Sequence, residues 1–229
     1  MILRRLGNKK QQAAKTQPHF PPHTFYLEPF FGAGGMFFNK SRSKYNVVND
    51  NDSEVFNLFQ VVLKSPDELE LILRKMPIHE DLWKYWKTHE EVDPVLKAAR
   101  FMLFSNFGYM GLPQTLRYLS GNTIRTMIGN IHKTAGFLFG VEFMNCDFRD
   151  FFNRLSVRGK DLDKTFCYLD PPYLDTNDNY QSSFTVEDSY DLFNAVEKFG
   201  CRFAMSEFDH PFILQQAKAR GLTVIEIGE

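Results

Sequence analysis

Asp170-Pro171-Pro172-Tyr173 follows the apolar run Thr165-Phe-Cys-Tyr-Leu169 and presents acceptors without donors. Two consecutive prolines fix φ and carry no N–H, and the residue before a proline is held extended. A ligand would therefore meet the Asp170 carboxylate, the Pro171 carbonyl and the flat ring of Tyr173, with Pro172 keeping the turn rigid. A planar substrate with an amino group that has two hydrogens to give suits this set, as a nucleobase with an exocyclic amine does. A Pro-Pro pair also ends buried strands with no further role, and the turn taken alone supports both readings.

A second place for chemistry is Phe31-Gly32-Ala33-Gly34-Gly35, which follows the β-prone stretch Thr24–Phe31 and precedes Met36-Phe-Phe-Asn-Lys, a run that can open a helix. Strand, glycine turn and helix let backbone approach a ligand at a helix N-terminus, though such a turn also serves packing alone. Asp50 ends the next strand, Tyr45–Asp50, where an acid accepts ribose hydroxyls in nucleotide-binding α/β folds. Phe37 stands where a dinucleotide fingerprint has its third glycine, so an adenosyl group without phosphates is favoured over a pyrophosphate. Glycine turn, acid and acceptor turn all fall at C-terminal strand ends, which share one crevice in an open α/β sheet. A nucleoside-like cofactor beside a flat amine implies methyl transfer from S-adenosylmethionine to an amino nitrogen.

The elements that must position these groups follow an α/β rhythm. Ser53 is read as N-cap of a helix Glu54–Lys64 with Val55, Leu58, Phe59 and Val62 at helical spacing. Short helices follow from Pro66, on the faces of Leu69, Ile72 and Leu73, then Leu82, Trp83 and Trp86, then Val95 to Phe104. Gly108 to Gly140, rich in glycine, threonine and asparagine, reads as loop-like. Strands at 140–145, 165–169, 201–205 and 223–227 and helices at 148–155, 186–199 and 211–220 complete the pattern. The expected fold is a Rossmann-like methyltransferase sheet with a discontinuous core, 1–65 and 140–229, and a mostly helical insert, 66–139. The chain stops just after the last β-like run, which reads as a sheet edge without its neighbour.

Composition narrows the class. With 229 residues, 43% hydrophobic and 24% charged, the chain has the make-up of an ordinary globular protein, and no apolar run reaches spanning length. The basic N-terminus lacks a signal-peptide h-region, so the expected location is cytoplasmic, with no membrane partner. Cys146, Cys167 and Cys201 are far apart and read as buried free thiols; with His79, His89, His132 and His210 they lack metal-ligand spacing, so no metal is expected. Charges nearly balance, 27 basic against 28 acidic, so any nucleic-acid surface must be local. Between Phe101 and Phe139 there is no acid, while Arg117, Arg125 and Lys133 are present. These cations are read as phosphate anchors or base readers, against the plainer reading of scattered solvated charges.

Taken together, the chain resembles the Dam-type DNA adenine N6-methyltransferases of the D12 class. Glu28-Pro-Phe-Phe-Gly-Ala-Gly-Gly-Met-Phe-Phe-Asn39 is similar to that family's cofactor motif and Asp170-Pro-Pro-Tyr173 to its catalytic motif. Arg5-Leu-Gly-Asn-Lys9 resembles its N-terminal motif, with Asn8 in place of the second glycine. Asn106-Phe-Gly-Tyr-Met-Gly111, Cys146-Asp-Phe-Arg-Asp150 and Ala204-Met-Ser206 through Phe212 resemble further blocks. The resemblance implies S-adenosyl-L-methionine held by Arg5, Lys9, Phe31, Gly32, Ala33, Gly34, Asp50 and Asp170, with Asp147 and Phe148 flanking its adenine. It implies catalysis at Asp170, Pro171, Pro172 and Tyr173 on a flipped-out adenine. Double-stranded DNA would meet Asn106 and Tyr109 beside Arg117, Arg125 and Lys133, and a restriction endonuclease would be a partner in the same system. It also implies a further β element past the last strand, which this chain lacks. Amino-methyl transfer to RNA or to a protein glutamine, and a non-catalytic DNA-binding module of the same fold, are the alternatives.

Overall fold

The computed structural model describes residues 2–4, 9–117, 121–174 and 184–228, without the side chains of Met110 and Asn122. The chain forms two compact units, one of Met1–Lys9, Gly32–Phe38 and Asp52–Val141, the other of Lys10–Phe31, Asn39–Asn51 and Glu142–Glu229.

The second unit carries the sheet. A short helix α1 (Ala13–Thr16) leads to β1 (Phe25–Glu28) and β2 (Tyr45–Asn49). Further along the chain come β3 (Glu142–Met144), β4 (Thr165–Leu169) and β5 (Arg202–Met205). The five strands lie in the order β3-β2-β1-β4-β5, every pair parallel. A sheet of this order reverses its winding between β1 and β4, and the carboxyl ends of those two strands flank the crevice where α/β folds bind ligands. This is the Rossmann-like arrangement expected from the sequence.

Each face of the sheet has its own packing, because side chains alternate along a strand. Leu27, Cys167 and Leu169 point to one face and pack with Phe148, Phe151, Phe152, Leu192 and Val196. The other face carries Tyr26, Glu28, Phe166 and Tyr168, with Phe20 tilted over Phe166 and Tyr168 at 4.6 and 5.5 Å. All three cysteines are buried and free.

The first unit is helical. It holds α2 (Ser53–Lys64), α3 (Pro66–Lys75), α4 (Glu80–Thr88), α5 (Pro94–Phe107), α6 (Gly121–Gly129) and α7 (Ile131–Leu138). The second unit adds α8 (Phe148–Arg154), α9 (Val186–Phe199) and α10 (Pro211–Ala219). No helix among the described residues is long and apolar enough to cross a membrane.

Four local expectations need correction. Gly108 to Gly140 is not irregular: α6 and α7 occupy much of it, because Met127, Ile128, Ile131 and Leu138 recur at helical spacing and are buried. The cap of α2 is Asp52, whose carboxylate accepts the Glu54 N–H at 2.9 Å; Ser53 is already helical. After the glycine turn stands only a 3₁₀ turn, Phe37–Asn39, since the polar loop Ser41–Lys44 and β2 follow at once. Finally, 223–227 forms no strand with any of the described residues, and Val224 and Ile225 are exposed. β-branched residues favour a strand only where a ladder and a packed face receive them.

Gly108 closes α5 under unusual crowding. A Cβ there would lie 2.0 Å from the Leu112 carbonyl oxygen and 2.5 Å from that of Phe104, although φ is an unstrained −70°. Gly108→Ala is therefore expected to destabilise the chain by more than about 2 kcal/mol through sterics alone. Urea unfolding checks this, and an unchanged midpoint would refute the crowding.

Candidate active site

β1 and β4 are the central pair of the sheet, and each delivers a carboxylate at its C-terminal end. Asp170 directly follows β4 and is half-buried; Pro171 is buried, while Pro172 and Tyr173 are half-buried. The turn is pinned from β5. The Ser206 N–H donates to the Leu169 carbonyl at 2.9 Å, which extends the β4–β5 ladder, and the Tyr168 and Ser206 hydroxyls meet at 2.7 Å. The Tyr173 ring stands edge-on to Phe208, centroids 4.4 Å apart, so its plane is set by packing.

Glu28, at the end of β1, is the group that sequence reasoning passed over. It is 2% exposed, and its Oε2 accepts the Tyr26 hydroxyl at 2.7 Å. Burial pushes its carboxyl up to about 8; the Tyr26 hydrogen bond opposes this, Asp170 adds to it, Lys40 opposes it and Asp50 adds to it. Glu28, Asp50 and Asp170 therefore feel one another across the ends of β1, β2 and β4. Lys40 lies over the Tyr26 ring at 4.0 Å and donates to the Ser41 carbonyl and the Ser43 hydroxyl; burial lowers its ammonium to about 8. An acid written just before a proline looks like loop punctuation, and only its quoted place in the glycine motif hinted at more.

Asp50 follows β2 directly, held by backbone bonds: its N–H reaches the Met144 carbonyl at 3.3 Å and its carbonyl accepts from Asn145 at 2.7 Å. Beside it Asn49, 1% exposed, donates to the carbonyls of Pro29 and Cys146, both at 2.9 Å, and accepts the Cys146 N–H at 3.0 Å. One buried amide thus ties the ends of β1, β2 and β3. Phe31 donates its N–H to Asn49 at 2.9 Å and packs edge-on against Phe143.

The glycine turn has left-handed backbone at Gly32 (φ 52°) and Gly34 (φ 71°), and a Cβ at Gly32 would meet nothing within 4 Å. Conformation, not crowding, calls for glycine at Gly32. Ala33 is buried. Because only a 3₁₀ turn follows, this loop lacks the helix N-terminus that binds a phosphate.

Asp147 caps α8, accepting the Arg149 N–H at 2.9 Å, and Phe148 is buried against Phe30 and Phe184. Arg149 lies over the Phe148 ring and reaches Asp188 and Asp191, each at 2.7 Å, which clamps α8 to the start of α9. Lys9 is buried in the helical unit, while Arg5 lies outside the described residues. Asn106 is 4% exposed and both its amide hydrogens are taken, by the carbonyls of Ile2 and Met102. It has no hydrogen left for a base. Tyr109 is 60% exposed, and Arg117, Arg125 and Lys133 are exposed.

Chemically, the sheet end is a rim of acceptors: carboxylates, proline carbonyls and an oriented phenol ring. It suits a ligand that brings hydroxyls, amino hydrogens and positive charge. Residues 6–224 match the family described as D12 class N6 adenine-specific DNA methyltransferase. The chain is 26% identical over 214 residues to a DNA adenine methylase of Escherichia coli (strain K12), covering 86% of this chain and 75% of that protein. A DNA adenine methylase of Vibrio cholerae serotype O1 (strain ATCC 39315 / El Tor Inaba N16961) is 24% identical over 219 residues, 86% of this chain and 76% of the relative. One from Salmonella typhi is 30% identical over 117 residues, 48% of this chain and 42% of the relative.

Proposed function

The chain belongs to the D12 class N6 adenine-specific DNA methyltransferases, and from that premise we propose that it moves the methyl group of S-adenosyl-L-methionine to N6 of an adenine turned out of duplex DNA. The observation that carries this reading is the Asp170-Pro-Pro-Tyr turn at the winding reversal of the sheet, beside Glu28 and Asp50. The cofactor supplies an electrophilic methyl group on a sulfonium centre. Asp50 would accept its ribose hydroxyls, the turn at Phe31 to Gly34 would lie against it, and Asp147 with Phe148 would border its adenine.

N6 of adenine is a poor nucleophile because its lone pair is delocalised into the ring. The Asp170 carboxylate and the Pro171 carbonyl would accept the two N6 hydrogens and draw the nitrogen toward tetrahedral geometry. Tyr173, its plane held by Phe208, would stack on the base. With the methyl group passing from the sulfonium sulfur to N6, the extra proton on nitrogen would leave by way of the Asp170 carboxylate to water. Positioning and an electrostatic field matched to developing positive charge supply the catalysis. Flipping the base costs a few kcal/mol of stacking and pairing. Incubating plasmid DNA with the protein and S-adenosylmethionine, then mapping modified adenines, tests the reading; unmodified DNA would overturn it.

In this reading, residues 66–139 recognise the target while 1–65 and 140–229 form the catalytic core. Exposed Arg117, Arg125 and Lys133 approach phosphates and exposed Tyr109 meets a base. Changing all three cations to glutamine is expected to weaken DNA binding and to reduce the salt-dependence slope by roughly 3. Fluorescence anisotropy across a salt series measures this, and an unaltered slope would remove these residues from the interface. The reaction belongs in the cytoplasm, where the DNA is, and a restriction endonuclease reading the same word is the protein partner to seek.

A further inference from the structure

Asn49 is the last residue of β2, is 1% exposed, and has every hydrogen-bonding position of its side chain in use. Nδ2 donates one hydrogen to the Pro29 carbonyl and the other to the Cys146 carbonyl, both at 2.9 Å. Oδ1 accepts the Cys146 N–H at 3.0 Å and the Cys146 thiol at 3.3 Å. Its backbone carbonyl accepts the Phe31 N–H at 2.9 Å. This is where the strand ladders give out. Glu28 pairs in register with Val48 and Met144 with Asn49, and Pro29, next on β1, has no N–H to carry the pairing on. Only an amide combines two donors for two carbonyls with an acceptor for an N–H. Leucine in its place would leave three buried backbone groups unbonded, and aspartate would turn a charge on two carbonyl oxygens.

Two of the bonded residues stand directly before a carboxylate at the end of the sheet, Asn49 before Asp50 and Cys146 before Asp147. All of these residues lie in the one compact unit that carries the sheet. Asp50 and Asp147 belong to loops after different strands, β2 and β3, so a ligand held by both needs their separation fixed to within about 0.5 Å. The Asn145 bond to the Asp50 carbonyl joins the same two loops but is open to solvent, whereas the Asn49 bonds are buried and meet no competing water. We propose that Asn49 is a positioning residue for the cofactor: it sets Asp50 and Asp147 at the separation that the ribose and the adenine require, and does not itself touch the ligand. The inference rests on the reading of those two carboxylates as the neighbours of ribose and adenine.

The test uses the full chain with Asn49→Ala, Asp50→Ala and Asp147→Ala, made singly and with each aspartate change combined with Asn49→Ala. Val48→Ala, on the same strand and 0% exposed, is the control for general destabilisation. Calorimetry with S-adenosylmethionine gives the affinities, and hydrogen exchange at the Cys146 amide reports whether the tie is lost. Expected for Asn49→Ala is faster Cys146 exchange and a roughly tenfold weaker cofactor affinity, while Val48→Ala stays within about twofold of the wild type. The effects should also fail to add. Asp50→Ala and Asp147→Ala should each weaken the affinity several-fold in the wild type and by less than about twofold in the Asn49→Ala background. Full additivity would overturn the proposal, as would a loss in Val48→Ala equal to that in Asn49→Ala. If Asn49→Ala fails to fold, the same cycle built on Asn49→Ser decides. A wild-type chain that binds no S-adenosylmethionine, or whose affinity ignores both aspartate changes, would instead overturn the reading of the two carboxylates.

Discussion

Asp170→Asn is expected to lower the single-turnover rate of adenine methylation by on the order of a hundredfold to a thousandfold. The substitution keeps the shape of the side chain and the rigid Pro171-Pro172 frame, so the turn stays in place. In the proposed mechanism it removes the negative charge that would face the amino nitrogen as that nitrogen becomes positive. One amide end also becomes a donor, which would confront an N6 hydrogen instead of accepting it. Since the lost interaction grows as the methyl group is transferred, kcat should fall far more than the affinity for duplex DNA. Tyr173→Ala makes an instructive contrast. It removes stacking worth about 1–3 kcal/mol, so its cost should appear in base capture and shrink when the target adenine is already unpaired. An Asp170→Asn variant that methylates at the wild-type rate would remove the carboxylate from the chemistry.

Between about pH 4.5 and 8 the wild-type chain is expected to lose stability, on the order of a few kcal/mol, through Glu28 alone. The native state holds the Glu28 proton up to about pH 8, whereas the unfolded chain releases it near 4.5. Over that window the folded form binds more protons, so raising the pH favours unfolding. Lys40, lowered to about 8, is charged in both states below that value and adds no slope there. The groups around Glu28 are Tyr26, Lys40, Asp170 and Asp50. Glu28→Gln keeps an acceptor for the Tyr26 hydroxyl but cannot ionise. The variant should match the wild type near pH 5 and exceed it increasingly toward pH 8. Urea unfolding of both proteins at pH 5, 6.5 and 8 checks this, and parallel stability curves would show that Glu28 does not titrate as described.

Much of this molecule is legible in its residues because the strands are short apolar runs closed by informative turns. The stretches ending at Asp50 and Asp170 each name a strand and the group it delivers, and parallel pairing with β1 brings those ends to one side. Local composition misled where burial outweighs it. Glycine, threonine and asparagine around α6 and α7 suggested a loop, yet Met127, Ile128, Ile131 and Leu138 form an apolar stripe. Thr223 to Ile227 failed in the opposite sense, since β-branched residues make a strand only where a ladder forms. Glu28 and Asn49 escaped notice because their roles depend on what other strands bring alongside. Asn106 was placed by similarity of its neighbours, but its amide is spent on the N-terminal segment, 104 positions away along the chain.

The order β3-β2-β1-β4-β5 also has a kinetic meaning. β1, β2 and the helices after them lie close in sequence, but the partner that completes β1 on its other side begins at Thr165, with Phe25 paired to it. Loop closure over that span costs more entropy than local pairing, so the β1–β4 seam is expected to form after the local pairs. Glu28 and Asp170 flank that seam. A chain still emerging from the ribosome, before Thr165 onward has been made, cannot bring Asp170 beside Glu28, so the chemistry proposed for that place waits on this long-range pairing.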